Sequence, residues 1–124
     1  MNLPPSDGLL DHAKDVLNGS IPVPGGHSAR LAAVLARQAL EDIVRDLCGA
    51  RGNRLEHPVK MKSRLIVLST FYDGWTASTA CVAWNGLSNA CHHHAFQLTP
   101  TVGEVLHLIN LVVELNTASK TRPN

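Results

Sequence analysis

The chain has 124 residues, 44% of them apolar, and its 11 basic and 10 acidic side chains leave a formal net charge of +1. That length supports one domain with one core, and that apolar share excludes disorder of the whole chain. The near-zero charge offers no global field to nucleic acid or anionic lipid, so any such binding must come from a local patch. Aromatics are only 4%. Ala, Leu and Val must therefore fill the core, which favours closely approaching helices over sheets.

In chain order, the first expected element is a short helix capped by Ser6, with Leu9, Leu10, Ala13, Val16 and Leu17 on one face. Asp7, Asp11 and Asp15 form its solvated outer stripe. The glycines and prolines from Gly19 to Gly26 then break helix. A long second helix begins near Ser28. It turns Leu31, Val34, Leu35, Gln38, Ala39, Asp42, Ile43 and Leu47 inward, with Gln38 and Asp42 either bordering the core or aimed at a site, and Arg30, Arg37, Glu41 and Arg45 largely outside. Gly49 and Gly52 end it. Arg51 to Pro58 reads as a polar loop before a third helix carrying Met61, Leu65, Leu68 and Phe71 or Tyr72. Asp73-Gly74 is a turn signal. A fourth helix, capped by Thr76 or Ser78, shows a 3-4 repeat through Ala80, Cys81, Trp84, Leu87, Cys91 and His94. Thr101-Val102-Gly103-Glu104 has capping-box form, with Pro100 close to the first helical position. The fifth helix then places Val102, Val105, Leu106, Ile109, Val112 and Val113 inward. No segment alternates as a half-buried strand does, and short connections favour antiparallel neighbours. The expected fold is all-α, a single helical domain over 1–124. It is an antiparallel bundle of four principal helices plus a short N-terminal one, with 1–5 and 117–124 flexible.

The stretch Ser88-Asn89-Ala90-Cys91-His92-His93-His94 holds three of the seven histidines. On a helix, Cys91 and His94 share a face while His93 points nearly the opposite way. Consecutive helical residues cannot all ligate one ion. Cys91, His94 and His107 have the chemistry of zinc ligands, and Glu104-x-x-His107 matches half of a di-iron pattern. With four glutamates in all and no second copy, that pattern stays incomplete. No metal and no cofactor is expected. Cys48, Cys81 and Cys91 read as reduced thiols of a cytoplasmic protein. Met1 to Pro5 lacks a basic region followed by an apolar run, so no signal peptide is expected. The longest apolar stretch, Val105 to Leu115, is too short and too interrupted to span a bilayer.

Six of the eleven basic residues fall between Arg45 and Arg64. Lys60, Lys62 and Arg64 crowd the start of the third helix, and Arg51 and Arg54 lie in the loop before it. Cations at a helix N-terminus oppose the macrodipole, a cost that makes sense where they help hold a phosphate. These five are the candidate anion-binding residues. The alternative is a solvated basic loop, diluted by Asp46 and Glu56.

A helical bundle with a polar-residue-to-histidine motif near the end of a late helix resembles the HEPN superfamily (higher eukaryote and prokaryote nucleotide-binding domains). The resemblance is one of pattern and helix order over residues 28 to 116. Members often act as RNases through Arg-x4-6-His, the pair coming together across a homodimer. By that likeness the histidine falls on His94 or His93, and the arginine on Asn89 or Ser88, so the arginine is missing. Asn89 with His93 suits the register in which Asn follows the arginine, which puts Ser88 at its place. Arg51-x5-His57 matches literally but straddles a Gly-containing loop before Pro58. The resemblance thus implies catalytic candidates His94, His93 and Asn89 and a homodimer. The apolar faces of the fourth and fifth helices, with Trp84 and Leu87, offer more surface than a small bundle needs to bury and so point to the same dimer. Two functions follow. One is a non-catalytic interaction or regulatory module, associated with defence or toxin–antitoxin systems, with RNA or a protein as partner. The other is a metal-independent ribonuclease using His94 in a dimer cleft. Near-neutral charge and the missing arginine favour the first. As a plain core residue, His94 would need a hydrogen-bond partner, for which Asn89 and Gln38 are candidates.

Overall fold

The computed structural model describes residues 5–24, 27–50, 60–92 and 99–121. It contains five helices: α1 (Pro5–Leu17), α2 (Ser28–Ala50), α3 (Met61–Phe71), α4 (Gly74–Cys91) and α5 (Val102–Thr121). No strand occurs among the described residues, so the fold is all-α.

Helix α2 is the hub and touches each of the other four; α4 also packs on α3 and α5, and α1 on α5. Its sequence explains this role. Ala29, Ala32, Ala33, Ala36 and Ala39 are buried along it together with Leu40, Ile43, Val44, Leu47 and Cys48. Methyl-sized side chains let neighbouring helices approach closely on more than one side. The expected inward face is therefore rotated: Leu31 and Val34 are exposed, and so is Gln38, whose amide donates to Asp42. Buried apolar side chains from all five helices join in one core.

Local chemistry sets the ends. Gly19, in the left-handed region at φ +87°, terminates α1, and Asn18 turns the chain by accepting from the Ser20 backbone. Ser6 lies within α1, where it is buried, and is not its cap. Helix α4 is capped by the Asp73 carboxylate, which accepts from the Thr76 backbone N–H at 2.8 Å. Neither Thr76 nor Ser78 caps it, since Asp73, in extended conformation three residues before Thr76, takes the role. At the start of α5, Thr101 Oγ1 accepts from the Glu104 N–H at 3.0 Å and Glu104 Oε2 accepts from the Thr101 N–H at 3.3 Å. This is the expected capping box.

Two clasps hold the elements together. Asp7 of α1 accepts from Asn116 and Lys120 of α5, so it is not part of a free outer stripe. Tyr72 donates to the Leu47 carbonyl at 2.7 Å, and the Cys48 thiol donates to the Arg64 carbonyl. These two bonds tie both ends of α3 to the last turns of α2.

Candidate functional site: a cationic cleft between three helices

Fixing α3 against the end of α2 brings its N-terminal cations to face two side chains that point out of the core margin. Arg37 projects from α2 and Trp84 from α4. The Arg37 guanidinium lies over the Trp84 ring, 4.2 Å from its centroid, and its Nε donates to Ser88 Oγ at 3.2 Å. Stacking and hydrogen bonding together fix the direction of the guanidinium charge. Around this pair opens a cleft of about 410 Å³, lined by Arg37, Glu41, Lys60, Met61, Lys62, Arg64 and Trp84. Four cations thus share one concave surface with a single carboxylate among the described lining residues.

None of the four forms an ion pair among the described residues, whereas Arg45 nearby is taken up by Asp42 at 3.3 Å and Asp46 at 3.8 Å. Lys60 occupies the N-cap position of α3 and its side chain caps nothing. The first N–H groups of that helix are directed towards the cationic end. Chemically, the cleft presents charge to an anion and an aromatic ring to whatever adjoins it.

The last turn of α4 differs. Ser88 is held by Arg37, Asn89 is exposed, and Cys91 is half-buried. Burial pushes the Cys91 thiol up, against weaker opposing pulls from Arg37 and Arg30. A thiol raised in this way is a poor thiolate nucleophile at neutral pH. Arg30 and Arg37 of α2 therefore lie near the end of α4, and the Arg30 Nε is buried with no hydrogen-bond partner among the described residues.

Of the expected anion-binding residues, Lys60, Lys62 and Arg64 converge on the cleft, while Arg51 and Arg54 lie outside the described residues. Of the expected catalytic residues, Asn89 does not line the cleft, and His93 and His94 lie outside the described residues. Helix α4 stops at Cys91 because His92 takes extended dihedrals, φ −82° and ψ 136°. Gln38 is engaged with Asp42 as well, and it is exposed. No cluster of metal-ligating side chains forms among the described residues.

Sequence reading missed Arg37, Glu41 and Trp84 as site residues. The signal was present in the alanines: Ala33, Ala36 and Leu40 mark the buried stripe of α2, and Arg37 sits at its edge. Comparison with family models, curated proteins and solved structures gives no match to this chain. Functional inference therefore rests on the cleft itself.

Proposed function

We propose that this chain is a HEPN-like, non-catalytic interaction module, an antiparallel helical bundle that holds the phosphates of an RNA strand in the cleft between α2, α3 and α4. The observation that carries this is the convergence of Arg37, Lys60, Lys62 and Arg64 on one concave surface beside Trp84. Backbone phosphates are recognised by such cations, and an adjoining aromatic ring gives a base something to stack on. A net charge of +1 is no obstacle when the cations are local and form no ion pair among the described residues. A regulatory role in the cytoplasm, in a defence or toxin–antitoxin setting, suits a module that binds and does not cut. No described helix is long and apolar enough to cross a membrane.

The test is fluorescence anisotropy with a labelled single-stranded oligoribonucleotide. Wild type should bind at low salt, and the triple variant K60E/K62E/R64E should lose that binding with its helical circular dichroism intact. Equal binding by both proteins would contradict the proposal.

One observation favours the alternative, a metal-independent ribonuclease using His94. Where the HEPN-like motif lacks its arginine, Ser88 takes a hydrogen bond from Arg37 of α2, so a guanidinium reaches that position through space. Gel analysis of RNA incubated with the purified protein separates the two roles. A module leaves RNA intact. A nuclease produces fragments, and either His94→Ala or Arg37→Ala then stops cleavage.

The proposed homodimer needs a revised surface. Leu87 is fully buried and not free to meet a partner, and one face of the half-buried Trp84 ring is taken by Arg37. Trp75 and Val82 on α4 and Val102 and Leu106 on α5 are the exposed large apolar side chains among the described residues of that pair of helices.

A further inference from the structure

We infer that the furrow between α3 and α4 binds a small amphiphilic phosphate, an alkyl, acyl or aryl group carried on a phosphate monoester. The furrow encloses about 740 Å³, within the range of roughly 300–1,000 Å³ typical of small-molecule sites. Its apolar walls are Leu65 and Ile66 from α3 and Ala77 and Trp84 from α4, with Asn85 adding a polar atom. Ile66 is 62% exposed, a large apolar side chain left facing water at the rim. Helix α3 has no single apolar face: Leu65, Ile66, Val67, Leu68 and Phe71 lie on different sides of it, between Lys62, Ser63, Arg64, Ser69 and Thr70.

Charge complementarity selects the occupant. Lys62 and Trp84 line both this furrow and the cationic cleft, so the apolar surface runs directly into the cluster of four cations. Lys62 is the charged residue among the described lining of the furrow, and no carboxylate lies there. An apolar group in the furrow thus delivers an anionic head to Lys62 and its neighbours, while a cationic head meets repulsion. Each buried methylene should tighten binding about fourfold, so the apolar part outweighs the phosphate alone.

The inference rests on the cationic cleft proposed for RNA phosphates and extends it to a ligand that would compete there. Cys81 gives a local readout, because it is exposed and lines the furrow, whereas Cys48 is buried and Cys91 half-buried. The experiment measures alkylation of each cysteine by N-ethylmaleimide in the full chain, resolved by mass spectrometry. Decyl phosphate below its micelle concentration should protect Cys81 at concentrations at least roughly tenfold lower than inorganic phosphate or AMP requires. Ile66→Glu should abolish that protection while RNA binding persists. Protection by decyltrimethylammonium or AMP as strong as by decyl phosphate would overturn the inference, as would no protection at all. RNA binding without decyl phosphate protection defeats this inference alone. Protection without RNA binding defeats the RNA proposal alone.

Discussion

Arg37 is the residue on which the site turns. Its guanidinium is held from two sides, by the Trp84 ring and by Ser88 Oγ, so its charge is aimed before any ligand arrives. Preorganisation of this kind lowers the entropy a ligand must lose on binding. Arg37→Lys keeps the charge but loses the planar stack and the Nε bond. It should weaken RNA binding about fivefold, the worth of one well-placed contact of about 1 kcal/mol, and alter Trp84 fluorescence. Affinity unchanged in the lysine variant would show that only charge counts. A second residue, Asp7, acts on stability. Hydrogen bonds from Lys120 and Asn116 hold its carboxyl below the usual carboxylate value. A carboxylate depressed in the folded state stabilises above its unfolded pKa of about 3.9, and the benefit is lost as pH falls through the lower native value. Asp7→Asn should therefore lower Tm by about 2–4 °C at pH 7, as suits a partly exposed pair. The gap between variant and wild type should close below about pH 4. A gap that persisted undiminished in acid would assign the effect to something other than the carboxylate.

At the scale of the element, the helix ends marked by side-chain chemistry were legible and the faces less so. Thr101 and Glu104 form the capping box that their spacing announces. Asp73 was visible only as a turn signal, although the same Asp before a helix is a strong cap. Asp73→Ala should cost about 1 kcal/mol and lower Tm by about 4 °C, measurable by thermal melts. The face of α2 was misread because large aliphatic residues draw attention, and Leu31 and Val34 happen to lie outside while five alanines lie within. Alanine carries little hydropathy but permits close approach, and only packing reveals which stripe is used. Distance in sequence hid the cleft too: Arg37 and Ser88 are 51 positions apart, so no local pattern could pair them. Close approach recurs between α4 and α5. A Cβ added at Gly86 would sit 2.6 Å from Leu108 Cδ2 and 2.9 Å from Cδ1. Leu108 is half-buried and can swing aside, so Gly86→Ala should change Tm little, its gain in helix propensity offsetting the shift. Gly86→Leu should lower Tm by several degrees, as overpacking costs about 1–3 kcal/mol. Gly86→Leu combined with Leu108→Ala should regain most of that loss. Failure of the double variant to recover would place the crowding elsewhere.

For the whole molecule, a near-neutral chain concentrates four cations in one cleft and leaves apolar side chains on α3, α4 and α5 in water. Exposed apolar residues grouped on adjacent helices mark surfaces that meet something. If Val82, Val102 and Leu106 form the proposed dimer contact, light scattering at concentrations on the order of tens of micromolar should report twice the chain mass. Leu106→Glu should return it to the monomer. A wild-type monomer at that concentration would remove the dimer. The cleft makes the more direct demand, because binding through phosphates must release counterions. The measurement is the oligoribonucleotide dissociation constant as a function of salt. Neutralising three or four phosphates of a single strand gives a slope of the log association constant (the reciprocal of the dissociation constant) against log salt of about −2 to −3, and each charge removed from the cleft reduces its magnitude by about 0.7. Wild type should show that slope, and K60E/K62E/R64E a flat or undetectable one. A slope near zero in wild type, or one that the triple substitution leaves unchanged, would contradict the assignment of the cleft as the RNA site.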